Sequence, residues 1–281
     1  MTTPHENDFA QAQSRFWHGG DAARTVAFDA FSLMFPAAEA FMIRGARAAH
    51  DRVDNPSLRR EIAGFVRQEA AHARLHGAYN RAMEARGFDA IGQEARNGEI
   101  IAFLESRIGL RRTLAASAGL EHFTALIAQR IIEDDALLAR AEPHYRALWL
   151  WHAREELEHK AVAFDVHASL YPKGLWLSRT RAMVTALLIL LTLYWWNVWR
   201  LAGDIAEQPR WRTIAGVLWF TLASPGLFSR IVLPTLAYFL PGFHPDGLNR
   251  DGGKAAHLGG GEDRLGERPG AGGLQISHGA A

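Results

Sequence analysis

From about residue 24 to residue 171 the apolar residues recur every three or four positions, with few β-branched runs and no alternating segment of strand length. That period stacks apolar side chains along one helix face and excludes half-buried strands. The stretch therefore predicts helix throughout, in four long pieces. The first runs from Ala27 or Pro36 to His50, since Pro36 either kinks a longer helix or sits in its first turn. The second takes Asn55 as its cap and Pro56 as its first residue, and continues to about Arg86, where Gly87 ends it. A loop over 88–98 leads to the third, Glu99 to Glu133, with Gly109 and Gly119 inside it as close-packing points. The fourth begins near Pro143 and stops at Tyr171-Pro172-Lys173-Gly174. Four such helices with short or moderate connections predict an all-α antiparallel four-helix bundle over 23–174.

What surrounds the bundle differs in character. Residues 1–22 are polar, with no apolar run behind a basic start, which predicts no secretory signal and a cytoplasmic chain. Ala182 to Trp199 is eighteen residues without a charge, flanked by Arg179, Arg181 and Arg200, and Tyr194, Trp195, Trp196 and Trp199 resemble an interfacial aromatic belt. Two shorter apolar stretches, Thr213 to Phe228 and Ile231 to Phe243, follow. The expectation for 175–245 is an apolar helical hairpin associated with the cytoplasmic side of a membrane. Packing on the bundle, or burial in a homodimer, is the alternative for a protein that stays in the cytoplasm. From Asp246 onward, eleven glycines in 36 residues predict a disordered tail.

Composition narrows the chemistry. With no Cys, the chain has no disulfide, thiolate metal site or cysteine nucleophile, so any metal must be held by His, Asp and Glu. Lys+Arg 31 against Asp+Glu 30 leaves a net charge of +1, which argues against a nucleic-acid partner. Two Glu-x-x-His pairs lie on predicted helices, Glu69 with His72 and Glu156 with His159, and residues three apart share a helix face. Among 17 Glu and 13 His, two such pairs prove little alone. The other two helices, however, each carry a Glu in an apolar stretch: Glu39 in FPAAEAFMIR and Glu121 in AGLEHFTALI. A carboxylate on a core-facing stripe is costly unless protonated, paired or bound to metal. The order Glu, Glu-x-x-His, Glu, Glu-x-x-His, one element per helix, is the ligand set by which a four-helix bundle holds two metal ions.

On these residues the region 30–171 resembles the ferritin-like di-iron carboxylate superfamily. The separations Glu39 to Glu69 (30) and Glu121 to Glu156 (35) match its spacing. His152, four residues before Glu156, gives a His-x-x-x-Glu-x-x-His run similar to that of di-iron arylamine N-oxygenases, which implies His152 as a third imidazole ligand. The succession FPxxE, QExxH, LEHFTA and WHxxEExEH before an apolar C-terminal region also looks like a bacterial family labelled predicted metal-dependent hydrolases. The resemblances imply two Fe ions, with Mn as the alternative, held by Glu39, Glu69, His72, Glu121, His152, Glu156 and His159. His76 is a further residue able to line the site. Arg44, Arg154 and Asp165 are candidates to support it, while His122, Glu155, Glu158 and the Phe-His-Pro-Asp run at 243–246 carry no assigned role.

A buried pair of irons suits O2-dependent oxidation of a small or lipophilic substrate, and this is the first expectation. It needs an external electron donor, since the chain has no dinucleotide fingerprint. Hydrolysis by metal-activated water is the runner-up, and a non-catalytic membrane-associated bundle is the third reading. If the apolar region attaches to a membrane, a lipid or fatty-acyl substrate entering the bundle from the bilayer is a further expectation, motivated by adjacency alone.

Overall fold

Helix starts are set by polar caps and prolines. Asp21 accepts from the Arg24 N–H and opens α1 (Ala22–Ser32), while Pro36 sits in the first turn of α2 (Phe35–His50). Asn55 accepts from the N–H groups of Ser57 and Leu58 and opens α3 (Pro56–Ala85), which Gly87, at φ +86°, terminates. The computed structural model describes residues 4–9, 14–223 and 225–249, with the side chains of His159, Leu248 and Asn249 outside that description. All regular structure among the described residues is helical, as expected. The tail expectation lies almost wholly outside them.

The third and fourth expected helices are each divided. Gly109 adopts extended backbone as the N-cap of α5 (Leu110–Glu133) instead of lying inside a helix. Ahead of it, α4 (Ala90–Glu105) occupies most of the expected loop. Its buried residues at 93 and 97 are polar, Gln93 and Asn97, so apolar periodicity gave no sign of it. Asn97 donates to the Leu33 carbonyl at 3.1 Å, tying α4 to the α1–α2 junction. The fourth helix breaks at Lys160–Ala161 into α6 (Pro143–His159) and α7 (Val162–Leu170), where no Gly or Pro explains the break.

Helix α2 lies along α3 and α5, α5 along α6 and α7, and α3 touches both α6 and α7, so the four sides close on one interior. Phe41, Met42, Ile62, Phe65, Leu114, Val162 and Val166 fill one level of it. Two glycines permit close approach: a Cβ at Gly45 would meet Thr113 Cγ2 at 2.8 Å, and one at Gly119 would meet Met183 Sδ at 2.9 Å. Gly119 is thus the packing point its position suggests.

Outside this ring, α8 (Leu175–Gly203) packs on α5 and α1. The buried Asn197 donates to the Ala30 carbonyl at 3.2 Å, and the buried Arg179 donates to the carbonyls of Tyr238 and Leu240. The hairpin's return arm is not one helix. It comprises α9 (Arg210–Leu218), a π-turn over Trp219–Ala223 and the short α10 (Val232–Ala237). Both α8 and the α1–α2 stretch are long and apolar enough to cross a membrane, but 67% of the latter's most apolar window is buried inside the protein, against 39% for α8.

Candidate metal centre

One buried cluster draws on every side of the ring. Glu39 comes from α2, Glu69 and His72 from α3, Glu121 from α5, and His152 and Glu156 from α6; all six are at most 4% exposed. Ligand atoms of Glu39, His72 and His152 lie within 4.8 Å of one another, as do those of Glu69, His72 and Glu156. His72 Nδ1 is 3.7 Å from Glu69 Oε1 and 3.7 Å from Glu156 Oε1, and its ring stacks on that of His152 with centroids 4.1 Å apart. The i, i+3 and i, i+4 spacings of Glu69–His72 and His152–Glu156 put each pair on one helix face, which is why the sequence pattern converges in space.

The electrostatics are those of a site suited to a cation. Burial pushes the carboxyls of Glu39, Glu69 and Glu121 well above the usual carboxylate range, and the other carboxylates push them further. Neither oxygen of Glu39 or Glu121 has a hydrogen-bond partner among the described residues. Buried polar atoms are ordinarily partnered, and four such oxygens in one place fit the ligands of a cation.

A directional hydrogen-bond chain fixes the tautomer of His152. Asn80 Nδ2 donates to Glu94 Oε2 and to the Ser32 carbonyl, so its Oδ1 is the acceptor, and Ser32 Oγ donates to that atom at 2.6 Å. With its single proton committed, Ser32 Oγ accepts from His76 Nδ1 at 2.9 Å. Burial lowers the pKa of His76 well below the usual histidine value, so this imidazole is neutral, and its Nε2 accepts from His152 Nδ1 at 2.7 Å. In neutral His152, Nε2 then bears a lone pair, 2.8 Å from Glu156 Oε1. Two lone pairs at that distance need a proton or a metal ion between them. The other oxygen of Glu156 accepts from Thr124 Oγ1 at 2.7 Å.

The donor set of clustered carboxylates and imidazole nitrogens therefore fits a hard or borderline divalent cation. A family model described as "Predicted metal-dependent hydrolase" matches residues 4–249. The chain belongs to this family. No curated protein and no solved structure matches it. The family's description, with the two residue groups above, supports a metal cofactor, and it favours the hydrolytic expectation over the oxidative one.

Of the seven residues singled out in the sequence, the structure brings six together; the side chain of His159 lies outside the described ones. Glu121 belongs to neither close group, but its carboxyl feels Glu156, Glu69 and Glu39. The supporting residues differ from expectation. Arg44 pairs with Glu105 (Nε to Oε1 3.0 Å), and Asp165 bonds His244 Nε2 at 2.9 Å, so neither serves the cluster. His122 stacks on Tyr238 with centroids 5.1 Å apart. Ser32, Asn80 and Thr124 are assigned no role by the sequence and enter only with the structure. Polar residues at buried positions on apolar helix stripes were the available signal, and only the tertiary contacts give it meaning.

Proposed function

We propose that the protein is a metal-dependent hydrolase whose ions are held by Glu39, Glu69, His72, Glu121, His152 and Glu156. The observation that carries this reading is the buried cluster in which the oxygens of Glu39 and Glu121 lack hydrogen-bond donors and Glu39 groups with the imidazoles of His72 and His152. One imidazole ordinarily commits one nitrogen to one ion, so the two groups compete for His72, and a second ion draws on the remaining carboxylates. Two Fe or two Mn ions in a ferritin-like bundle is the finer form of the proposal. When bound, such ions polarise a carbonyl or phosphoryl oxygen and lower the pKa of water. The chain's own residues prepare the place: Thr124 orients Glu156, His76 holds the His152 ring, and Trp151 meets the His72 ring edge-on at 5.0 Å. Phe31, Phe35 and Phe123 wall a cavity of about 30 Å³ against His152 and Glu156.

The test is metal analysis of the purified chain, followed by chelation and reloading while ester, thioester and phosphoester cleavage is measured. Cleavage that is lost on chelation, returns with Mn or Fe, and is absent in Glu69→Ala supports the assignment. A protein with no stoichiometric metal sinks it. The carboxylate-rich donor set between apolar walls favours O2-dependent oxidation as the second reading, which predicts O2 uptake by the iron-loaded protein with an added electron donor.

We further propose that the protein sits on the cytoplasmic face of an anionic membrane. Trp211 and Trp219, each 66% exposed, and Leu233, 77% exposed, support this, together with six arginines against two acidic residues over 175–243. The buried Arg179 and Asn197 of α8 favour a helix lying on the bundle over one crossing a bilayer.

A further inference from the structure

A space of about 810 Å³ lies between α2, α4, α5 and α8, apart from the metal cluster. On α8 its lining residues recur at 177, 178, 181, 182, 185, 186, 189, 190 and 193, one helix face that runs for about 24 Å at 1.5 Å per residue. The deep end, including Met34, Leu190 and Leu193, is apolar and buried. The outer end is basic. Arg107, Arg111, Arg112 and Arg181 line it and are exposed, and none of the four forms an ion pair among the described residues. The cavity's one acidic residue, Glu105, is already paired with Arg44 outside it. Gly174 stands at this mouth, where a Cβ would lie 3.2 Å from Arg111 Nη2.

The cavity also leads toward the metal cluster. Two of its lining residues, Ala38 and Leu120, directly precede Glu39 and Glu121 in the chain. Leu190 lines both this cavity and the small one against His152 and Glu156, and so stands between them. Along α5, Arg112 and Glu121 are nine residues apart, about 13.5 Å of helix.

We propose that this cavity binds one molecule of a single-chain amphiphile, its carboxylate or phosphate head on the arginines and its hydrocarbon chain directed along α8 toward Leu190. Apolar walls with a few charges at one end suit such a ligand, and arginine is suited to carboxylate and phosphate alike. This rests on the hydrolase reading only for its consequence: a substrate, unlike a simple fatty acid, carries a hydrolysable ester or thioester in the part of its chain remote from the anionic head, and water adds across that bond to release an acid and an alcohol or thiol.

The test uses the full-length chain, stripped of lipid and titrated calorimetrically with monomeric dodecanoate, dodecyl phosphate, dodecanol, acetate and inorganic phosphate. The expected result is one-to-one binding of dodecanoate and dodecyl phosphate, at least tenfold weaker binding of dodecanol, and none of acetate or phosphate. Arg112→Gln with Arg181→Gln should weaken dodecanoate at least tenfold, and Ala116→Trp should abolish binding by filling the cavity. Metal content should stay unchanged in both. The Arg variants change exposed side chains, so they remain informative if Ala116→Trp fails to fold. Dodecanol binding as tightly as dodecanoate, unchanged affinity in the Arg variants, or association only with anionic vesicles and not with monomers would overturn the proposal. Binding without any metal in the protein would leave it standing while removing the hydrolase reading, and metal-dependent cleavage without amphiphile binding would do the reverse.

Discussion

The metal-free protein should become less stable as pH rises, and Glu121→Gln should correct this. Glu39, Glu69 and Glu121 have folded-state pKa values raised above their unfolded value, so above about pH 4.5 the unfolded chain sheds protons that the folded chain keeps. Stability is therefore greatest at or below the unfolded pKa and falls as pH climbs toward the folded values. Each carboxyl that stays protonated contributes a slope of about 1.4 kcal/mol per pH unit. Because the three repel one another, between one and three act together, which gives about 1.4 to 4 kcal/mol per unit. Bound divalent metal holds the ionised forms, so above about pH 5 neither the folded nor the unfolded carboxyls keep protons and this negative slope should vanish. Urea denaturation of chelated and metal-loaded protein between pH 5 and pH 8 measures both slopes. Glu121→Gln should raise metal-free stability at pH 8 and reduce the gain from metal. A flat metal-free profile, or a Gln variant less stable at pH 8, would refute the account of these carboxyls as buried and uncompensated.

Other expectations are independent of that one. His76→Phe should weaken metal affinity about 10–100-fold by freeing the His152 ring, read by competition with a chelator of known affinity. His167 is fully buried and its pKa is pushed down to about 4 by burial, helped by Arg111 and Arg179. It therefore favours the fold fully above pH 6.5, and that contribution drains away as pH falls from 6.5 to about 4, by at most about 3 kcal/mol. His167→Gln should flatten this part of the stability profile relative to the parent chain. Gly119→Val should cost about 1–3 kcal/mol or more by forcing α8 off α5, measured by thermal unfolding. Replacing Trp211, Trp219 and Leu233 together by Ser should abolish co-sedimentation with anionic vesicles while leaving the helical signal in circular dichroism intact.

The helical class and the carboxylate–imidazole pattern were legible in the sequence, while the division of the helices that hold the cluster was not. Spacing of three or four residues fixes which side chains share a helix face, so Glu69 with His72 and His152 with Glu156 followed directly. The lone Glu39 and Glu121 were legible because a carboxylate on an apolar stripe conflicts with its surroundings. Helix α4 was not legible, because its inward positions 93 and 97 are polar and its glycines mimic a loop. Nor was the chain through Ser32, Asn80 and His76, whose members lie 44 and 48 positions apart and mean nothing until α1 is laid on α3. The large cavity escaped for the same reason: its arginines come from three different elements.

The protein contains its own control for the argument from missing partners. Asp29 on α1 is as buried as Glu121, yet it accepts from Trp17 Nε1 at 2.9 Å, from Tyr79 Oη at 2.5 Å and from Arg86 Nη2 at 3.2 Å. Where this fold buries a structural carboxylate, it supplies two neutral donors and a guanidinium. Around Glu39 and Glu121, in the same interior, no hydrogen-bond donor is supplied to any of four oxygens among the described residues. The two sites should then answer opposite ways to the same change. Asp29→Asn leaves buried Arg86 without its countercharge and should cost about 3–5 kcal/mol at neutral pH. Glu121→Gln in the metal-free protein removes an uncompensated acid and should stabilise it. If both substitutions destabilise by similar amounts, the glutamates are ordinary structural groups and the case for a cation among them falls.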